Sequence, residues 1–343
     1  MTIFKKFWLK IKTPMNKKNK TEYNLVLILI ILVITVNLFF IYLYGFSNTK
    51  DNFDILEKQT ENYFPSFYKL DLEAEAIYIW DVNKNEVLFA QKEKKPLPIA
   101  SIAKVMTALI SLDEMERNTI ITISDEALSQ SGDNGLYAGE KWILTDLIKF
   151  MLVSSSNDAA QEIALKVNEE HIKENILCSS LEDSEKDENK KCSLVDSQFF
   201  VGKMNQKARI LGLEETEFFN ATGLDFNGHE GGSYSSAEEV AILFNYALLR
   251  YSDIFEVTAS KEITFESLSG FSHTIENTNK IIEAIPSLTA SKTGLTNLAG
   301  GNLVISFEVN PFRPVIIVIL GSTEIGRFSD FQKILSATLA EIK

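Results

Sequence analysis

The residues from Leu25 to Tyr44 are apolar except for Thr35 and Asn37, and at 1.5 Å of rise per residue they make a helix of roughly 30 Å, one hydrocarbon thickness. This run constrains the chain more than any other feature, because whatever follows a membrane-spanning helix must fold on one side of the bilayer. Lys5, Lys6, Lys10, Lys12, Lys17, Lys18 and Lys20 precede it, with Glu22 the sole acid. The positive-inside rule keeps residues 1–24 in the cytoplasm and exports the remainder. A cleaved signal peptide is the alternative, since Gly45-Phe-Ser47 offers a small-x-small site. The long basic arm and the full-length apolar run favour an anchor that is kept.

What lies beyond the anchor is long enough for a substantial domain: the chain has 343 residues, 45% of them hydrophobic. Its formal net charge is −13, and since the arm's seven lysines and one glutamate carry +6, the exported part carries −19. Nucleic acid and anionic lipid are therefore disfavoured partners. The two cysteines, Cys178 and Cys192, bracket the acidic stretch Ser179 to Lys191, inside an insertion near 172–197. In an oxidising compartment they can close a surface loop, contributing about 2–3 kcal/mol if unstrained; two free thiols remain the alternative.

Three short stretches then occur in order: Ser101-Ile-Ala-Lys104, Ser155-Ser-Asn157 and Lys292-Thr-Gly294. A lysine three residues after a serine projects from the same helix face, so its amine can reach the hydroxyl and take its proton. The other two stretches hold the hydrogen-bonding groups and positive charge that an acyl-transfer site needs for proton relay and anchoring. Singly each pattern is cheap. Ser47-Asn-Thr-Lys50, a second Ser-x-x-Lys in polar chain after the anchor, is read as accidental.

The local settings suit this chemistry. Residues 45–70 read as a linker, and 71–343 as the domain. Ala74–Val82 and Glu86–Ala90 flank Asn83-Lys-Asn85 as a hairpin. After Pro96-Leu-Pro98, apolar residues at Ile102, Val105, Met106, Leu109 and Ile110 mark a buried helical face with Ser101 in its first turn, where free N–H groups can stabilise an oxyanion. Helices over Asp146–Val153 and from Ala160 to Val167 put the Ser-x-Asn on the turn between them. Phe199–Leu211 reads as a helix stopped at Gly212, and Ser236-Ala-Glu-Glu239 as a capping box opening another. Leu303–Val309 and Val315–Leu320 form a hairpin, with Lys292-Thr-Gly294 ahead of it at a strand end. A last helix, Phe328–Ile342, buries Phe331, Ile334, Leu335 and Leu339.

Together with the blocks Leu97 to Ala108, Val153 to Ala160, Met204-Asn-Gln-Lys-Ala208 and Asn220-Ala-Thr-Gly-Leu-Asp225, the motifs resemble the penicillin-binding D-alanyl-D-alanine carboxypeptidases, serine peptidases of family S11. The resemblance runs from about Ala74 to the C-terminus. It implies an α/β (α+β) domain of the β-lactamase/DD-peptidase-like fold, an antiparallel sheet flanked by helices plus a mostly helical region, with the active site in the groove between. It also implies a bacterial cell-membrane protein whose extracytoplasmic domain removes the terminal D-alanine from peptidoglycan stem peptides, with β-lactam antibiotics as covalent inhibitors and no metal or organic cofactor. By position Ser101 is then the nucleophile, Lys104 its base, and Ser155 and Asn157 the relay and substrate ligand. Lys292 and Thr293, in the motif that ends at Gly294, hold the substrate carboxylate, and the backbone N–H groups of Ser101 and Leu295 form the oxyanion hole.

Ser156 stands where such enzymes more often carry glycine, and an added side chain there can narrow the groove. A β-lactamase of the same fold and a non-catalytic wall-binding protein are the rival readings. Endopeptidase or transpeptidase action would use the same residues. A Ser-His-Asp hydrolase lacks its Gly-x-Ser-x-Gly elbow, zinc chemistry lacks His-Glu-x-x-His, and His171, His229 and His273 read as surface residues.

Overall fold

The computed structural model describes residues 66–132, 135–179 and 198–342. The expected membrane helix and basic arm lie outside these residues, as does the Cys178 and Cys192 pairing. In chain order the strands are β1 (Ala76–Asp81), β2 (Glu86–Gln91), β3 (Leu97–Pro98), β4 (Ile120–Thr122), β5 (Lys141–Ile143), β6 (Glu217–Phe218), β7 (Ser233–Ser235), β8 (Glu262–Glu266), β9 (Ser272–Glu276), β10 (Leu288–Thr296), β11 (Gly300–Asn310) and β12 (Arg313–Ser322). The helices are α1 (Lys104–Glu114), α2 (Leu144–Ser154), α3 (Asn157–Ser179), α4 (Phe199–Ile210), α5 (Ala237–Phe255) and α6 (Gly326–Glu341).

An antiparallel five-stranded sheet in the order β10-β11-β12-β1-β2 organises the domain. Side chains alternate across a strand, and here both faces are dry. Ile77, Ile79, Leu303, Ile305, Ile317 and Ile319 pack on one side with Phe331, Ile334 and Leu335 of α6. Ala76, Tyr78, Val304, Ile316, Val318 and Leu320 pack on the other with the helical region. A sheet covered on both faces needs continuous apolar runs, which is why Leu303–Phe307 and Val315–Leu320 read as near-unbroken hydrophobic stretches. Leu339 departs from expectation: it is 41% exposed, and the buried ridge of α6 continues through Thr338 instead. Lys292-Thr-Gly294 also lies elsewhere than expected, within the edge strand β10, where Lys292 pairs with Val304, rather than at a strand end.

The chain entering β1 is fixed from both directions. Phe67 is buried and stacks on Phe89 at 5.6 Å, so the residues just before 71 already belong to the packed domain. Asp330 on α6, fully buried, accepts hydrogen bonds from the backbone N–H of Glu73 (3.1 Å) and Ala74 (2.9 Å) and from Ser322 Oγ (3.1 Å). Asp330→Ala strands three donors and should cost about 3 kcal/mol. A thermal melt is expected to fall by roughly 10 °C. An unchanged melting temperature would remove Asp330 from this role.

Candidate active site

β3 leads into a tight 3-10 turn, Ala100–Ala103, that runs directly into α1 and carries Ser101. The turn is forced through Ala100, whose φ of 50° lies in the left-handed region, at a cost of about 1–3 kcal/mol for a non-glycine residue. Neighbours hold it there. Asn302 Nδ2 donates to Pro98 O at 2.9 Å, and the Ile99 N–H donates to Ser233 O at 3.2 Å. Two glycines permit the approach: a Cβ on Gly223 would stand 2.1 Å from Ala100 O, and one on Gly294 would stand 2.5 Å from Ile99 O. That close approach explains the glycine of the third motif.

Lys104, first residue of α1, is fully buried, and its Nζ has three neighbours: Ser101 Oγ at 2.7 Å, Asn157 Oδ1 at 2.8 Å and Thr222 O at 2.7 Å. Asn157 is oriented by its other end, where Nδ2 donates to Ser131 O at 2.7 Å, leaving the carbonyl oxygen for Lys104. Thr222 O is aimed by Asn220, whose Oδ1 accepts from the N–H of Thr222 (3.1 Å) and Gly223 (2.7 Å). Two of the three neighbours are therefore pure acceptors. A neutral amine spends both N–H bonds on them and turns its lone pair to the Ser101 hydroxyl. Burial, and secondarily the nearby Lys292 charge, hold the Lys104 pKa well below the usual lysine range, which favours that neutral form.

Ser155 closes α2 in a left-handed conformation, φ 62°, and its Oγ accepts from Lys292 Nζ at 2.9 Å. Lys292 is buried and also donates to Thr293 O at 2.9 Å. Burial, then the Arg327 charge, brings its pKa down to about 7. Ser156 does not enter the groove. It is fully buried, and its Oγ accepts from the Ala159 N–H at 3.1 Å, an N-cap of α3.

A cavity of about 340 Å³ opens in front, lined by Ser101, Ser155, Asn157, Thr278, Lys280, Thr293, Leu295, Glu324 and Arg327. Lys104, Lys292 and Gly294 stand behind this wall rather than on it. Thr293 Oγ1 donates to Thr278 Oγ1 at 2.6 Å, and Arg327 donates from Nη1 to Gly294 O at 2.7 Å. The Arg327 Nε has no partner among the described residues. Sequence reasoning missed Ser131, Thr278, Lys280, Glu324 and Arg327 because no spacing rule links them to the motifs; the Asn220 to Asp225 block was the visible signal for Thr222. It also misplaced His273, which is only 8% exposed: β9 turns it inward, its Nε2 lies 2.6 Å from Glu140 Oε1, and the Trp142 ring packs at 5.3 Å.

A serine paired with a buried lysine, between a doubly covered antiparallel sheet and a helical region, defines the penicillin-binding class of serine peptidase. A family model, peptidase S11, D-alanyl-D-alanine carboxypeptidase, matches residues 61–171 and 196–324, and the chain belongs to that family. It is 28% identical over 275 residues to D-alanyl-D-alanine carboxypeptidase DacF of Bacillus subtilis, an alignment covering 78% of this chain and 63% of that one. Against a D-alanyl-D-alanine endopeptidase of Pseudomonas aeruginosa the identity is 26% over 269 residues, 76% of this chain and 74% of the relative. Penicillin-binding protein D2 of Listeria monocytogenes in its cefotaxime-bound form superposes with a TM-score of 0.62 at 26% identity, covering 78% of this chain and 98% of that one. A D-alanyl-D-alanine carboxypeptidase structure from Mycobacterium tuberculosis gives 0.62 at 24%, covering 79% and 92%, and supports the fold alone.

Since Ser156 caps a helix and faces away from the cavity, Ser156→Ala should lower stability by about 1 kcal/mol. The rate at which an activated ester acylates Ser101 is expected to stay at the parent value. A changed acylation rate at unchanged stability would put the side chain back in the groove.

Proposed function

We propose that this protein is a serine D-alanyl-D-alanine carboxypeptidase that removes the terminal D-alanine from peptidoglycan stem peptides and is trapped by penicillins. The observation that carries the proposal is the Lys104 amine, buried and held at 2.7 Å from Ser101 Oγ by two acceptor-only partners. Ser101 Oγ attacks the carbonyl carbon between the two D-alanines while its proton passes to Lys104 Nζ. Backbone N–H groups of Ser101 and Leu295 receive the developing oxyanion. The C–N bond breaks, the proton held by Lys104 reaches the departing nitrogen through the Ser155 and Asn157 side, and D-alanine leaves. Water then attacks the Ser101 ester, and the hydroxyl is restored. The departing carboxylate is met by Thr293, Ser155 with Lys292 behind it, and Arg327. Residues 25–44 would anchor the enzyme with this domain outside the cytoplasm; protease added to intact cells should then digest the domain and spare residues 1–24.

Full-length protein in detergent micelles, incubated with a fluorescent penicillin and digested for mass spectrometry, should carry a stable adduct on Ser101, and Ser101→Ala should carry none and release no D-alanine. Penicillin consumed without an adduct would indicate a β-lactamase instead; penicillin left untouched would indicate a non-catalytic protein. Lys292→Ala should lower kcat/KM by about a hundredfold, the worth of roughly 3 kcal/mol for a lost charged hydrogen bond.

The pH profile follows from the two lysines. Lys104 must be neutral to accept a proton, so activity falls as acid protonates it. Lys292 is cationic below about 7 and neutral above, so capture of the carboxylate weakens on the alkaline side. A bound anion holds the proton on Lys292 more tightly. The alkaline loss should therefore appear as a rising KM with kcat sustained. A KM that stays flat through this range would separate Lys292 from carboxylate binding.

A further inference from the structure

We infer that the outer part of the cavity is a subsite for the side chain of the departing residue, and that Glu324 makes it favour a cationic side chain over an anionic one. This rests on the carboxypeptidase reading above and names a broader class of leaving residue than D-alanine. The cavity measures about 340 Å³, within the range of small-molecule pockets, and the scissile unit and departing carboxylate share it with the side chain of the departing residue. Its wall continues past Thr293 to Thr278 and Lys280 on one loop and to Glu324 and Arg327 around the start of α6.

Which charges reach the outer wall decides the sign. Lys280 is paired with Glu276 at 3.0 Å. Arg327 is buried next to Gly294, where it meets the departing carboxylate together with Lys292. Glu324 is exposed and makes no hydrogen bond or ion pair among the described residues, and its charge is felt at Arg327. Its backbone is pinned beside β11, the Glu324 N lying 3.1 Å from where a Cβ on Gly301 would stand. Glu324 is therefore the exposed charge on the outer wall that no ion pair engages among the described residues. Lys292, kept protonated by the bound anion, is buried behind Ser155, and its charge is directed at the departing carboxylate rather than at the outer wall. An ammonium-bearing side chain entering the outer cavity is attracted; a carboxylate is repelled.

Unit charges about 4 Å apart in water change affinity by about fivefold. Full-length protein should therefore hydrolyse acyl-D-alanyl peptides ending in D-lysine, D-glutamine and D-glutamate in that order of kcat/KM, with about fivefold between successive members. The ratios are taken within each enzyme, so any general loss of activity in a variant cancels. Glu324→Gln should bring the three within about twofold of one another, and Glu324→Lys should invert the order; penicillin labelling of Ser101 reports that each variant is folded. Equal rates for the three peptides, a preference for D-glutamate, or an order that survives Glu324→Gln overturns the inference. So does cleavage of the D-alanyl-D-alanine peptide with none of the three longer ones touched. Failure to cleave even that peptide would defeat the carboxypeptidase reading itself, and the two failures are told apart by this one control.

Discussion

The structure turns on the burial of one amine. Lys104 Nζ sits in the core of the helical region, enclosed by side chain and backbone from three separate stretches of chain: the Ser101 turn, the head of α3 and the loop after β6. A protonated amine so placed forfeits its hydration, at a cost of several kcal/mol beyond what neutral acceptors return. The neutral form fits the same cage without that cost. The cage thus chooses the protonation state that proton transfer requires, and each wall of it needs its own support. Asn220 aims Thr222 O, and Ser131 O turns Asn157. Thr107 on α1 ties the loop down by donating to Ala221 O at 2.6 Å.

Reactive groups have been placed at joints between elements rather than within them. Ala100 and Ser155, both non-glycine residues with positive φ, respectively open the Ser101 turn and follow the last residue of α2. At the end of α2 this brings Ser155 Oγ to Lys292 of strand β10, at 2.9 Å. Such conformations persist where surroundings over-determine them. Here the surroundings are Gly223 and Gly294, whose missing side chains admit the Ala100 turn, and the Ser156 cap that begins α3 immediately after Ser155.

Much of this was legible in the sequence where the controlling forces are local. Helix faces followed their 3.6-residue period, and the β11–β12 hairpin followed its apolar runs. Ser236 caps α5 as its pattern predicts, with Oγ accepting from the Glu239 N–H at 3.3 Å; the reciprocal half of the box fails, because the Glu239 carboxylate goes to Glu215 N and Thr216 Oγ1 instead. Long-range partners were not legible. Nothing near His273 announces Glu140, which is 133 residues away, and a glycine-to-serine difference at Ser156 carries no sign of which way the hydroxyl points. Leu339 satisfied the helical period yet lies at the edge of the stripe, since the position of the sheet under α6, not the period, sets where the buried face ends.

Three basic side chains stand in a row behind and beside the groove, and their order matters. Arg327 lowers the pKa of Lys292, and Lys292 in turn lowers that of Lys104. If charge were the main cause, an incoming carboxylate would cancel it and reprotonate the base at the moment it is needed. In both lysines burial is the larger cause and the neighbouring cation the smaller. Packing does not respond to the arrival of an anion, so Lys104 keeps its lone pair while Lys292 and Arg327 are neutralised by what they bind. The groups that recognise charge and the group that moves the proton are thereby uncoupled, although they lie within one hydrogen-bonded cluster.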